Sequence, residues 1–213
     1  MKICCIASVE EAWTAIRAGA SALGLVSEMP SGPGPIKEDL IREIAAQIPP
    51  GVASFLLTSL QDAAAIVEQQ RRCRVNTIQI VDRLERGSYE EMSAAMPGAS
   101  LVQVIHVTGE ESLDEALRIA PHVNALLLDS GNPSLAVKEL GGTGRRHDWA
   151  ISRRIREQSN APVFLAGGLR AENIREAVET VGPFALDVCS GVRTGGRLDE
   201  RKLSAFFSEL ERC

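Results

Sequence analysis

Short apolar, β-branched runs alternate along this chain with longer stretches whose apolar residues recur at helical spacing. The apolar runs predict strands at 2–7 (KICCIA), 22–26 (ALGLV), 53–57 (ASFLL), 77–81 (TIQIV), 101–107 (LVQVIHV), 125–129 (ALLLD), 163–167 (VFLAG) and 185–190 (ALDVCS). A helical stretch follows each one, beginning near Ser8, Lys37, Ser59, Ser88, Glu110, Asp148, Ala171 and Asp199. The first shows the reasoning. Ser8 suits an N-cap with Glu11 three residues later, a capping-box pattern. Ala12, Ala15 and Ile16 share one face, and Gly19 is a natural stop. Strand alternating with helix implies βα units and a parallel sheet, and eight such units predict a closed (β/α)₈ TIM barrel of eight parallel strands. A doubly wound open sheet is the competitor. It expects a G-x-G-x-x-G turn after strand one, where this chain has SVEEAW.

A length of 213 residues without a linker suits one barrel domain spanning 1–213. The net charge of −5, with scattered basic residues, argues against nucleic acid as a partner, because phosphate backbones need a clustered basic footprint. A small anion is compatible with it, since a few backbone N–H groups and a cation or two can hold one. No apolar run reaches the roughly 18 residues of a membrane span, and the N-terminus shows no signal-peptide pattern. No membrane partner and a cytoplasmic location are therefore expected. The five cysteines are odd in number and show no CxxC or Cys/His spacing, so neither a disulfide framework nor a zinc site is indicated.

In such a barrel the site lies at the C-terminal ends of the strands, where Cys4, Cys5, Asp82, His106, Asp129, Gly167–Gly168 and Cys189–Ser190–Gly191 are the candidates. Glycine turns after strands seven and eight, with GGTG (141–144) in the loop before them, point to a phosphate. Glycine lets backbone N–H groups approach an anion there, although the same residues also suit plain tight turns. The connection after Asp129 (SGNPSLAVKELGGTGRRH) is longer than βα loops usually are, and SEMPSGPGPI after strand two is the other irregular one.

Adjacent strand residues face opposite ways, so one of Cys4 and Cys5 is expected inside the barrel and the other against the helices. Buried cysteine is ordinary packing, and a catalytic role needs a partner across the barrel. Asp129 is such a partner: a carboxylate ending an apolar strand either caps loop backbone or works in the site as an acid. No lysine ends a strand, which argues against a Schiff-base aldolase, and the three histidines form no metal-hydrolase pattern. His106 reads as a satisfied core histidine, and Trp13 and Trp149 as helix packing residues.

KICCIAS, AGASALGLV, LLLDS with GGTGRRHDW, LAGGLRAENIREAV and DVCSGVR occur in this order over nearly the whole length. They resemble the motifs of the phosphoribosylanthranilate isomerase family of tryptophan biosynthesis, whose members are (β/α)₈ barrels. The resemblance implies an Amadori rearrangement of a phosphorylated N-aryl aldosylamine, without a cofactor. It further implies Asp129 as general acid on the ring oxygen, Cys4 as general base on the sugar C2 proton, and Gly144, Gly167, Gly168, Ser190 and Gly191 around the phosphate. Cys5 stands where the family has glycine, and a thiol with pKa about 8.5 needs help from its surroundings to act as a base near neutrality.

The sequence departs from the family at the aryl end. MPSGPGPI replaces the family's P-x-S-x-R-x-[IV], and no arginine occurs between Arg17 and Arg42. QIVD replaces Q-L-H-G: Gln79 stays as a substrate contact, while Asp82 adds a negative charge where an anionic aryl group belongs. Arg193, in place of a glutamate, adds a cation beside the expected phosphate site. Three readings follow. One is the family reaction, with Arg145 or Arg146 supplying the missing cation. Another is an aldose–ketose isomerisation of a different phosphosugar. The third is a non-catalytic phosphosugar-binding barrel. The expected partner is a small phosphorylated sugar, and the chain is a monomer or homodimer.

Overall fold

Eight strands close in chain order into one parallel ring: β1 (Lys2–Ile3), β2 (Ala22–Val26), β3 (Ala53–Thr58), β4 (Thr77–Ile80), β5 (Ser100–His106), β6 (Ala125–Asp129), β7 (Val163–Leu165) and β8 (Ala185–Val188). Eight helices alternate with them: α1 (Val9–Arg17), α2 (Glu38–Gln47), α3 (Ala63–Cys73), α4 (Tyr89–Ala95), α5 (Glu111–Ile119), α6 (Trp149–Gln158), α7 (Ile174–Val181) and α8 (Glu200–Leu210). The structure is a computed structural model that describes residues 1–132, 134–141 and 144–213. The ring closes where β8 pairs with β1, Lys2 opposite Asp187 and Ile3 opposite Val188. The expected barrel is therefore the observed one.

Strand parity sorts the core into two compartments. Leu23, Leu25, Leu56, Ile78, Ile80, Leu101, Ile105, Leu126, Leu128 and Leu165 face the helices and form one apolar cluster with them. Their neighbours one residue away, among them Val26, Phe55, Leu57, Val102, Val104, Ala125, Leu127 and Ala166, fill the barrel interior. Side chains alternate at period two, so Lys2, Cys4, Gln79, Asp129 and Asp187 share the interior parity with these residues. The polar groups of the site thus follow from register alone.

Helix starts agree closely with the caps read from sequence at Ser8, Lys37, Ser88, Glu110, Asp148 and Asp199. Two differ. Helix α3 begins at Ala63 rather than near Ser59, because the Asp62 side chain accepts from the Ala65 N–H and caps it. Helix α7 begins at Ile174 rather than near Ala171; Asn173 first spans the turn, accepting from the Arg170 N–H and donating to the Gly168 carbonyl.

The capping box expected at Ser8 is only half made. Its hydroxyl accepts from the Glu11 N–H, but the Glu11 carboxylate turns instead to Arg193 and to the N–H groups of Ala7 and Leu198. A further hairpin, β9 (Arg193–Thr194) and β10 (Arg197–Leu198), was not expected from sequence. Gly195 and Gly196 turn it with φ of 56° and 80°, as a two-residue hairpin requires.

Candidate active site

At the C-terminal end of the barrel, Cys4, Gln79, Asp129, Gly144, Gly167, Gly168, Asp187 and Ser190 line one cavity. Seven of these were singled out or implied by the sequence; Asp187 was not. Its free volume is about 70 Å³, well below the roughly 300 Å³ at which small-molecule pockets begin. The narrowing comes from above. Ser31, Gly32 and Pro33 of the loop after β2 meet Leu140 and Gly141 of the loop after β6. The Ser31 hydroxyl donates to the Lys138 carbonyl at 2.5 Å, tying one loop to the other.

Cys4 is seated by its surroundings. A side chain at Gly24 of β2 would put its Cβ 2.7 Å from the Cys4 sulfur and 3.0 Å from Lys2 Nζ, so the glycine in ALGLV is what makes room for both. The Cys4 thiol pKa is lowered from its ordinary value, chiefly by a hydrogen bond from Cys5 and also by the Lys2 charge, against the opposing effect of burial. Lys2 is fully buried and ion-paired with Asp187 at 2.8 Å. Burial works against its charge, yet the Asp187 carboxylate wins and raises its pKa. The substitution Lys2→Met leaves the Asp187 carboxylate unpaired in the barrel interior. It is expected to destabilise the fold by about 3–5 kcal/mol. Urea unfolding measures this, and a variant as stable as the parent would show that the pair is not needed.

Across the cavity, β6 delivers Asp129. Its Oδ1 accepts from the Ser130 N–H at 2.7 Å. Gly141 and Gly167 approach so closely that a Cβ on either would lie 2.7 and 3.2 Å from its carboxylate oxygens. Burial raises its pKa, outweighing the Ser130 N–H and the neighbouring His106. His106 is buried, with Nε2 2.9 Å from the Val81 carbonyl, but its Nδ1 has no partner among the described residues, so it is not the fully satisfied histidine expected. Gln79 is buried at the cavity wall with its Oε1 unpartnered among the described residues, open to a substrate hydroxyl or N–H.

Strand β7 stops at Leu165, short of the expected 167, because Gly167 and Gly168 take φ of 82° and 66°. Strand β8 likewise stops at Val188, and Ser190–Val192 form a 3₁₀ turn. Gly191 is needed for a different reason than the sequence suggested: a Cβ there would sit 2.0 Å from the Leu169 carbonyl. Gly144, with φ of 67°, faces the Ser190 hydroxyl. Gly142 and Thr143 of GGTG lie outside the described residues.

Four expectations change. Cys5 does not pack against the helices. Strand β1 ends at Ile3, and Cys5 adopts φ of 62°, which breaks the alternation and turns its side chain back to the cavity. Arg193 does not point at a phosphate. Its guanidinium is buried behind β1, bound to Glu11 and to the carbonyls of Cys4 and Cys5. Asp82 does not leave a bare charge at the aryl end, for Lys138 Nζ pairs with it at 2.5 Å. Arg145 pairs with Glu139, while Arg146 pairs with Glu176 and stacks on the Trp149 ring at 3.6 Å. Among the described residues no group of histidines, cysteines and carboxylates is arranged to hold a metal, and no helix is long and apolar enough to cross a membrane.

The sequence model of the family described as N-(5'phosphoribosyl)anthranilate (PRA) isomerase matches residues 1–209. The chain is 32% identical over 212 residues to an N-(5'-phosphoribosyl)anthranilate isomerase of Methanocella arvoryzae, covering 100% of this chain and 97% of that one. It is 35% identical over 208 residues to the enzyme of that name from Halobacterium salinarum, covering 97% and 93%. Among solved structures, the phosphoribosyl anthranilate isomerase of Thermotoga maritima superposes with a TM-score of 0.80 at 26% identity, covering 100% of this chain and 98% of that one.

Proposed function

The chain belongs to the N-(5'-phosphoribosyl)anthranilate isomerase family, and we propose that it rearranges N-(5'-phosphoribosyl)anthranilate to 1-(2-carboxyphenylamino)-1-deoxyribulose 5-phosphate with Asp129 as acid and Cys4 as base. The observation that carries this reading is the pair itself. A carboxyl raised by burial and a thiol lowered by its neighbours line one cavity from different walls. Those opposite shifts favour the two protonation states an acid–base reaction needs.

Asp129 gives its proton to the ring oxygen, the C1–O bond breaks, and the nitrogen lone pair forms the C1 iminium. The Cys4 thiolate then removes the C2 proton. The C2–H electron pair becomes the C1–C2 double bond and the iminium electrons return to nitrogen. The enolamine loses its C2 hydroxyl proton and gains one at C1, giving the ketose. Gly144, Gly167, Gly168 and Ser190 line the cavity at the phosphate end, and Gly191 follows Ser190 in the turn after β8.

The aryl carboxylate needs a cation. Arg145 and Arg146 are engaged with Glu139 and Glu176. Lys138 is paired as well, with the buried Asp82 carboxylate just beyond β4, but its backbone is tied to Ser31 of the loop over the cavity. We assign the carboxylate to Lys138, with Asp82 holding the ammonium before substrate arrives. Lys138→Met is expected to raise KM about tenfold, worth about 1.4 kcal/mol, and to leave kcat within a few-fold. An unchanged KM removes Lys138 from the site.

The test of the reaction is a steady-state assay on freshly generated N-(5'-phosphoribosyl)anthranilate, followed by loss of its fluorescence. A kcat/KM of about 10⁴ M⁻¹s⁻¹ or more supports the family reaction. Inactivity together with binding of a phosphosugar analogue turns the reading to a different phosphosugar.

A further inference from the structure

The sulfur atoms of Cys5 and Cys189 lie 2.7 Å apart at the cavity wall. The proposed chemistry uses Cys5 only through its hydrogen bond to Cys4, and makes no use of Cys189. Their positions are specific. Cys5 follows the base Cys4, and Cys189 precedes Ser190 at the phosphate turn. The pair spans the seam where β8 meets β1.

Cys5 is held toward Cys189 by several independent contacts. Its φ of 62° turns it off the strand, and Arg193 binds its carbonyl at 2.5 Å. Gly34 packs so close that a Cβ there would sit 2.7 Å from the Cys5 Cβ. The Cys5 sulfur also lies 3.6 Å from the Pro33 carbonyl. Cys189 is the more accessible of the two, half-buried where Cys5 is buried, so a small oxidant in the cavity meets it first.

We propose that Cys5 and Cys189 are a modification site: a dithiol that hydrogen peroxide converts reversibly to a disulfide, switching the active site off. Cys189, as the thiolate, attacks the peroxide. The O–O bond breaks, a sulfenic acid forms, and the other oxygen leaves as water once protonated. The Cys5 sulfur then attacks the sulfenic sulfur, the S–S bond forms, and hydroxide leaves with the Cys5 proton as a second water. Two thiols are oxidised and one peroxide is reduced.

The disulfide removes the Cys5 proton that supports the Cys4 thiolate, and it ties the base to the phosphate turn. Transient, redox-sensing disulfides of this kind are the form expected where thiols are otherwise kept reduced.

The experiment treats the full chain with stoichiometric hydrogen peroxide and reads intact mass, a non-reducing peptide map and turnover. The expected monomer mass falls by two hydrogens, with a cross-link between the peptides carrying Cys5 and Cys189. Turnover falls at least tenfold and returns with dithiothreitol. Cys4→Ser still forms the cross-link, which separates the pair from one involving Cys4. Cys189→Ser forms no such cross-link and loses no turnover at low peroxide relative to its own untreated rate. The mass and the map do not depend on the assigned reaction. Cross-linking within KICCIAS, oxygen added at Cys4 without a cross-link, or an unchanged mass would each overturn the proposal.

Discussion

Replacing Asp129 by asparagine is expected to lower kcat on N-(5'-phosphoribosyl)anthranilate by about 10²–10⁴-fold while leaving the affinity for a phosphosugar analogue nearly unchanged. The amide matches the carboxyl in size and still accepts from the Ser130 N–H, whose bond to Asp129 is 2.7 Å long. It carries no acidic proton. Burial holds Asp129 above the ordinary carboxyl pKa, so the native residue keeps a donor proton to higher pH than a solvated aspartate does. Parallel losses in kcat and kcat/KM identify an interaction made in the transition state. Unchanged turnover removes Asp129 as the acid, whatever its contribution to the loop.

Cys4→Ser is expected to cost a similar 10²–10⁴-fold, because a serine hydroxyl at the same place is far too weak an acid to provide the base form. The pH profile makes a stricter test. The working enzyme needs Cys4 deprotonated and Asp129 protonated. The active form is one tautomer of the singly protonated pair. kcat/KM then passes through a maximum where that state dominates, and its two limbs belong to the pair. Asp129 is raised and Cys4 lowered, so both limbs move inward. The bell should be narrower than one drawn between free carboxyl and thiol values of about 3.9 and 8.5. A broad plateau across that interval would rule out this pairing.

The barrel was legible because its signals are periodic. Eight apolar runs and eight amphipathic stretches leave little choice, and the interior parity of Asp129 and Gln79 follows once a strand is placed. Glycine turns likewise mark the ends of β7 and the start of the phosphate end. What sequence could not carry depended on single backbone or side-chain choices. Nothing in KICCIAS announces that Cys5 takes a positive φ, a conformation rare outside glycine. The family's glycine at that position was the one available signal. The roles of Lys2, Asp187 and Lys138 depend on partners 56 or more residues away, Lys138 with Asp82 being one. Arg145 and Arg146 had the right charge and the right loop, but Glu139 and Glu176 stood nearer.

The seam between β1 and β8 also bears on how the protein comes to be folded. Strand β1 contributes only Lys2 and Ile3 to the ring, and its partners lie at Ala22 and Leu23 on one side and at Asp187 and Val188 on the other. The base and the phosphate turn therefore meet only after the chain through β8 has emerged and docked. Such sequence-distant pairing makes ring closure a late and slow event. Until then Lys2 has no Asp187, and the Cys4 N–H lacks the Val188 carbonyl it donates to across the seam. A chain not yet closed at this seam would therefore be inactive and would expose a strand edge on each side of the gap.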